Sequence, residues 1–205
     1  MTALPDEALD ERDVDDDPLV QVARWYQDAI DGGLVQPDAV QVATVDAAGQ
    51  PSARTVLLKG IDERGLSFFT SYESRKGVQL AQNPRCALVL LWKPLERQVN
   101  VTGVAERLPA RESDEYFATR PRGSQLGAWA SAQSTVIDGR ASLERALADV
   151  EARYDGVDVP RPPHWGGYIV RPDTIELWKG RRNRLHDRLR YSRHGGGWVL
   201  ERLSP

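Results

Sequence analysis

The chain has 205 residues, enough for one domain with a substantial core and short for two ordinary enzyme domains. Its 40% hydrophobic and 28% charged residues are the balance of a globular protein, and the longest strictly apolar run, Cys86 to Trp92, falls far short of the roughly 20 residues a membrane helix needs. The net charge of -3 is unevenly spread: residues 1–17 carry eight acids against Arg12 alone, a local -7, so the rest of the chain carries +4, which suits small anionic ligands and is too weak to indicate nucleic acid.

Residues 1–17 are poor in apolar side chains and are expected to form a disordered acidic leader, with a single domain over 18–205. They lack the basic start and apolar stretch of a secretory signal, so a cytoplasmic location is expected. From Pro18 to Ile30 the apolar residues Leu19, Val22, Ala23, Tyr26 and Ile30 recur at helical spacing, and Gly32-Gly33 ends that helix. Short β-like runs follow: Ala39 to Val45, Ala53 to Lys59 and Leu66 to Tyr72, divided by turns at Ala48-Gly49-Gln50 and Glu63-Arg64-Gly65. Ser74 is a candidate cap for a short helix through Gln82. Cys86 to Trp92 and Arg97 to Leu108 read as strands, and the single cysteine, Cys86, reads as a buried structural thiol. Ser113 is expected to cap a helix stopped by Pro121, a second helical stretch follows Ser124, and a third covers Ser142 to Tyr154. After the proline-rich link at 160–163, strands are expected near 167–170, 174–178 and 184–191, with glycines 195–197 turning the chain back through Trp198 to Leu203. Seven or eight strands with few helices and no regular β-helix-β alternation predict a mainly β fold with peripheral helices, a closed antiparallel barrel.

Several groupings can carry chemistry. A strand over 184–191 places Arg184, His186, Arg188 and Arg190 on one face, either a solvated outer face or a site for phosphate or another planar anion. Ser74-Arg75-Lys76 sets two cations at a helix N-terminus, where free N–H groups and the helix dipole already favour an anion. Tyr116 and Arg120 lie four apart on a predicted helix, so hydroxyl and guanidinium share a face, with Ser124 just beyond. Arg54 and Lys59 are five apart on one strand and reach a common ligand only along the strand end or across a bulge. The histidines at 164, 186 and 194 have no partners at metal-ligand spacing, so a metal site is not expected. Neither a dinucleotide fingerprint nor a phosphate-binding glycine loop occurs.

The run Ile175-Glu-Leu-Trp178-Lys-Gly-Arg-Arg-Asn-Arg184-Leu-His186-Asp-Arg188 resembles the signature of the pyridoxamine 5'-phosphate oxidase family. The resemblance extends over about residues 18–205 and includes Arg54-Thr-Val-Leu-Leu-Lys59, Phe69-Thr70, Ser74-Arg-Lys76, Leu95-Glu-Arg-Gln98, Arg120-Pro-Arg-Gly-Ser124-Gln-Leu-Gly-Ala-Trp129 and Gln133-Ser134. It implies an FMN-binding split β-barrel acting as a homodimer with flavin at the subunit interface. By resemblance, Arg54, Thr55, Val56, Leu57, Leu58, Lys59, Phe69, Thr70, Arg75, Lys76, Gln98, Gln133, Ser134, Trp178 and Arg188 contact FMN, with Arg75 and Lys76 on its phosphate. Lys59, Tyr116, Arg120, Ser124, Arg184 and His186 contact the substrate, with Tyr116, Arg120 and Ser124 on the substrate phosphate and Arg184 and His186 over the reacting centre.

The implied activity is oxidation of pyridoxamine 5'-phosphate and pyridoxine 5'-phosphate to pyridoxal 5'-phosphate, with dioxygen as acceptor and hydrogen peroxide as by-product. Family members often carry a basic, aromatic N-terminal segment that covers the substrate. The acidic leader here departs from that pattern, and its removal through residue 15 is expected to leave turnover nearly intact. Three alternatives differ in class. A sister FMN oxidase of the phenazine-biosynthesis type shares the barrel, but Lys59 and the Arg120 to Ser124 block argue against it. A non-catalytic FMN or pyridoxal-phosphate binding protein is disfavoured by Arg184 and His186. Nucleic-acid binding through 179–193 would show steep salt dependence; no nucleic-acid or membrane partner is expected.

Overall fold

The turn-bounded apolar runs become eight antiparallel strands in the computed structural model, which describes residues 8–205. They are β1 (Ala39–Val45), β2 (Pro51–Asp62), β3 (Gly65–Ser71), β4 (Arg85–Trp92), β5 (Arg97–Arg107), β6 (Trp165–Lys179), β7 (Asp187–His194) and β8 (Gly197–Arg202). The sheet runs β3-β2-β1-β4-β5-β6-β7-β8, and a further β3 to β6 pairing closes the first six into a barrel, leaving β7 and β8 as an extension from β6. Alternation fills the barrel: Val40 and Val42, Leu88 and Leu90, and Val99 and Val101 point inward at the two-residue period and are buried with Leu66, Phe68, Ile175 and Leu177.

Five helices surround the barrel: α1 (Pro18–Asp31), α2 (Arg75–Gln82), α3 (Ala110–Thr119), α4 (Arg122–Ala130) and α5 (Arg140–Arg153). In α1, Asp17 accepts from the Leu19 N–H at 2.9 Å and Pro18 occupies the first turn, the residue types that favour a helix start. Its buried Leu19, Val22, Trp25 and Ala29 join the barrel core. A second apolar cluster, Phe117, Leu126, Tyr154, Val159 and Trp165, packs α3 to α5 over the start of β6. Among the described residues no helix is long and apolar enough to cross a membrane.

The structure departs from the sequence reading at four places. The expected strands 167–170 and 174–178 are one strand, β6, because the break at Pro172 is absorbed by a register shift against β5, where Thr102 pairs with Thr174 and Gly103 with Pro172. Proline is tolerated at such a bulge, and Gly103 is required there, since a Cβ would lie 2.1 Å from the Arg171 carbonyl oxygen. The expected strand 184–191 begins only at Asp187, because Asn183 (φ 56) and Arg184 (φ 62) take left-handed backbone and turn the chain. Ser113 is not a helix cap: Pro109 stands at that position, and the buried Ser113 hydroxyl accepts from the Gly167 N–H at 3.1 Å.

Fourth, the acidic leader expected to be disordered divides into two parts. Residues 1–7 lie outside the described residues, whereas residues 8–17 are held on the barrel. Leu9 is buried, Glu11 pairs with Arg202, and the Asp15 carbonyl accepts from the Tyr191 hydroxyl at 2.7 Å. Asp10, Glu11 and Asp15 pair with Arg12, Arg202 and Arg24, and Asp17 caps α1.

Candidate active site

A cleft of ≈ 940 Å³ opens between β2, the end of β3, the start of α2, and α3 to α4 with the segment that follows. Its position follows from the sheet. Residues 51–57 of β2 pair with β1, but only 58–62 pair with β3, so one backbone edge of β2 is left open along the cleft. The question of Arg54 and Lys59 is answered at the junction: Leu58 pairs with Phe68 and Gly60 with Ser67, which makes Lys59 the extra residue of a bulge. The bulge re-aims Lys59, and both cations line the cleft.

Fourteen expected site residues line this one cleft: Arg54, Thr55, Val56, Leu57, Lys59, Phe69, Thr70, Arg75, Lys76, Tyr116, Arg120, Ser124, Gln133 and Ser134. Leu58 does not: its side chain is buried in the barrel core, on the inward phase of β2 before the bulge. Arg120 terminates α3 rather than lying within it, and Ser124 sits inside α4, so the turn between the two helices, not helical spacing, brings Tyr116, Arg120 and Ser124 together.

The electrostatics of the cleft are one-sided. Five cations line it, and among the described residues its lining contains no carboxylate. Ser74 caps α2, accepting from the Gly77 N–H at 3.3 Å, and leaves Arg75 and Lys76 at the helix N-terminus. The Lys76 ammonium is buried and donates to neutral oxygens, Thr70 Oγ1 at 3.0 Å and Gln133 Oε1 at 3.1 Å. Desolvation, followed by the nearby Arg54 charge, pushes its pKa down to about 8. Arg54 donates to the Val42 carbonyl at 3.1 Å, Thr44 Oγ1 at 2.7 Å and Ser52 Oγ at 2.6 Å. Burial and the Arg75 charge hold the Arg54 pKa below the usual arginine value.

Arg120 lies over the Trp165 ring at 4.6 Å, and its buried Nη1 has no hydrogen-bond partner among the described residues. Burial lowers its pKa as well. Lys59 is the exception, pairing with Asp38 at 2.9 Å. Between the cations lies an aromatic wall, with Phe69 stacked on Tyr116 at 4.0 Å and on Trp165 at 5.4 Å.

Sequence reasoning missed the support behind Arg54. The buried Gln79 of α2 accepts from Thr44 Oγ1 at 2.5 Å and from Ser52 Oγ at 2.7 Å, and those two hydroxyls hold the guanidinium. Trp165 was also missed. The buried glutamine and its two hydroxyls come from three separate elements, so no spacing links them, and Trp165 follows a proline-rich link that carries no periodic signal.

The other expected residues form a second group away from the cleft. Gln98 pairs across the sheet with Trp178, and Trp178 with Arg188, so the three stand in one row over β5, β6 and β7. His186 packs on Trp178, with ring centroids 4.7 Å apart. Arg188 and Arg190 do not make the free cationic face that a strand over 184–191 implied: Arg188 chelates Glu176 at 2.8 and 3.0 Å, and Arg190 pairs with Glu201 at 2.8 Å. Cys86 is half-buried and its thiol pKa is pushed up to about 12 by desolvation, as suits an inert structural thiol.

A split barrel whose cleft is open-edged and lined, among the described residues, by cations without carboxylates is suited to anions. Comparison with known proteins names the family. Residues 26–154 match the family described as Pyridoxamine 5'-phosphate oxidase, and residues 165–205 match the Pyridoxine 5'-phosphate oxidase C-terminal dimerisation region. The chain belongs to the pyridoxamine 5'-phosphate oxidase family.

It is 60% identical over 195 residues to a protein of Salinibacter ruber named pyridoxine/pyridoxamine 5'-phosphate oxidase, covering 94% of this chain and 91% of the relative. A relative of the same name from Rubrobacter xylanophilus is 57% identical, covering 96% and 91%. Among solved structures, PhzG from Burkholderia lata 383, crystallised with tetrahydrophenazine-1-carboxylic acid, superposes with a TM-score of 0.91 at 32% identity, over 97% of this chain and 98% of that one. A pyridoxamine 5'-phosphate oxidase-related, FMN binding protein from Nostoc punctiforme shares the fold with a TM-score of 0.73 at 18% identity, over 92% and 98%.

Proposed function

We propose that the protein is an FMN-dependent oxidase that converts pyridoxamine 5'-phosphate and pyridoxine 5'-phosphate to pyridoxal 5'-phosphate, with dioxygen as acceptor and hydrogen peroxide as by-product. The observation that carries this reading is the pair of cationic centres in one carboxylate-free cleft. Arg54, Arg75 and Lys76 gather at the α2 N-terminus, and Arg120 gathers with Tyr116 and Ser124. Two anion sites in one cleft fit two phosphate esters, a cofactor and a substrate. The buried Arg120 Nη1 without a partner gains one when a phosphate oxygen enters, and a charge-assisted hydrogen bond of this kind is worth roughly 1.5 to 3 kcal/mol.

The donor set fits FMN. Arg75, Lys76 and the free N–H groups of α2 would hold its phosphate, Arg54 and the open edge of β2 its ring system, and Phe69, Thr70, Gln133 and Ser134 would close around it. When bound, FMN supplies the two-electron redox chemistry that the side chains lack. The chain's part is placement: Arg120, Tyr116 and Ser124 anchor the substrate phosphate, and Lys59 borders the substrate. Gln98, Trp178, Arg184, His186 and Arg188 stand apart from the cleft in their own chain. We therefore assign them to the site of a second subunit, in a homodimer built through the C-terminal dimerisation region, so that Arg184 and His186 approach the reacting carbon from across the interface.

The likeness to PhzG favours a second reading, an oxidase of a tricyclic carboxylate. The separating experiment is aerobic incubation of the purified protein with pyridoxine 5'-phosphate, with and without added FMN. FMN-dependent formation of pyridoxal 5'-phosphate and peroxide is expected; flavin binding without turnover would overturn the first reading in favour of the second.

A further inference from the structure

The turn between β6 and β7 carries Arg184 and His186, and its shape is one that side-chain-bearing residues avoid. Asn183 and Arg184 are consecutive left-handed residues, at φ 56 and 62, and such a pair persists only where its surroundings fix it. The fixing contacts come from the first residue of β7. Asp187 Oδ2 accepts from the Leu9 N–H at 3.1 Å, Oδ1 accepts from Arg202 Nη1 at 2.8 Å, and Arg181 Nε lies 3.7 Å away. Arg202 in turn donates to both Glu11 carboxylate oxygens at 2.8 Å and to the Leu9 carbonyl at 2.8 Å. Three stretches remote in sequence, the leader, the turn and β8, therefore meet on one carboxylate.

The front of the same turn has a defined polarity. The Arg181 backbone N–H donates to His186 Nδ1 at 3.0 Å. An amide N–H has no acceptor role, so Nδ1 is the accepting nitrogen, and the proton of the neutral ring resides on Nε2. Trp178 packs on the imidazole and limits its rotation.

We propose that Asp187 is a positioning residue: with Arg202 and the leader it clamps the 181–186 turn, so that His186 is held as its Nε2–H tautomer and meets the substrate as a hydrogen-bond donor rather than as a base. The inference rests on the reading of His186 as a substrate-facing residue. It also gives the leader a part in turnover, as a brace behind the site, where its acidic character had pointed to dispensability.

The test is 15N-histidine NMR on the full-length, flavin-loaded protein, whose three histidines are assigned with the help of His186→Asn. Wild-type His186 is expected to show a protonated Nε2 and an unprotonated Nδ1. Asp187→Ala is expected to average the two tautomers and to lower kcat about tenfold, a modest loss for a misplaced group, with KM and the FMN Kd within about twofold. Asp187→Asn, which keeps one acceptor oxygen, should restore part of both signals. Arg202→Met, which removes the clamp from the other side, should reproduce the tautomer averaging even where Asp187→Ala does not fold. A proton on Nδ1 in the wild type, or a tautomer unmoved in the variants that fold, would overturn the proposal. Because the tautomer is read without substrate, a protein that shows it yet does not oxidise pyridoxine 5'-phosphate supports the clamp while overturning the assigned substrate.

Discussion

The cations of the cleft and the cations of the β6-β7-β8 face stand in opposite circumstances. Around the cleft, Arg54 and Lys76 are held by hydroxyl, amide and carbonyl oxygens, and Arg120 by aromatic rings. On the other face Arg188, Arg190 and Arg202 each have a carboxylate, from Glu176, Glu201 and Glu11. A cation buried among neutral groups has a desolvation cost that only an incoming anion offsets. A cation already paired gains much less. Under the proposed function the contrast favours the cleft for the phosphates and leaves the carboxylate-paired cations of the second face, Arg188 among them, with less to offer an anion; Arg184, which takes part in none of these ion pairs, is the exception.

The strongest test of that exception is Arg184→Ala. It is expected to lower kcat by about 100-fold, the scale of a lost orienting contact, with the FMN Kd changed by no more than about twofold. Steady-state kinetics beside flavin fluorescence titration separate the two, and equal losses would move Arg184 into the cofactor shell. Next in size is Arg120→Met, which keeps the apolar packing on Trp165 and removes the charge. Losing a charged hydrogen bond of roughly 1.5 to 3 kcal/mol should raise KM for pyridoxine 5'-phosphate by roughly 10- to 100-fold. An unchanged KM would remove Arg120 from the phosphate site and break the contrast at its clearest point.

Lys76→Met comes third, with an expected weakening of FMN binding by about tenfold, in line with one charged contact. Its pH dependence sharpens the argument. Burial pushes the Lys76 pKa down to about 8 in the folded chain against an ordinary lysine value of 10.5. Between those values the unfolded chain binds more protons than the folded one, so the flavin-free protein gains stability from this residue as pH rises through the window, and the penalty is full below about pH 8. A bound phosphate dianion favours the charged ammonium and reverses the preference. FMN affinity should therefore decline above about pH 8 in the wild type and decline less steeply in Lys76→Met; parallel pH profiles would show that another group controls binding.

The barrel was largely legible in the sequence because its strands follow the simplest periodic rule. Val40 and Val42, or Val99 and Val101, declare an inward face without help from the rest of the chain. The N-terminal cations of α2 were legible for a similar reason, since Ser74, Arg75 and Lys76 are neighbours. What escaped was set by conformations with no local period. The left-handed pair Asn183-Arg184 ended a strand pattern that alternation alone would have carried back to residue 184, and the bulge at Lys59 lies in pairing with β3, not in the composition of β2. The anchoring of residues 8–17 escaped because their partners, Asp187, Tyr191 and Arg202, lie more than 170 residues away in sequence.

Arg188 offers the smallest effect and the most direct confrontation between resemblance and geometry. The family pattern places it on FMN, yet its guanidinium is chelated by Glu176 and also donates to the Ser204 carbonyl at 3.0 Å. The Glu176 carboxylate raises its pKa, burial opposing, so the pair behaves as a neutral unit toward a third group. If that pairing persists beside flavin, Arg188→Gln should weaken FMN binding by only about threefold, less than Lys76→Met, because little free charge is lost. The double variant with Glu176→Gln should then bind no more weakly than Arg188→Gln alone. A tenfold or greater loss in Arg188→Gln would mean that FMN competes with Glu176 for the guanidinium. The second face would then be a reserve of cations released by the ligand, and the division between the cleft and that face would hold only for the flavin-free chain.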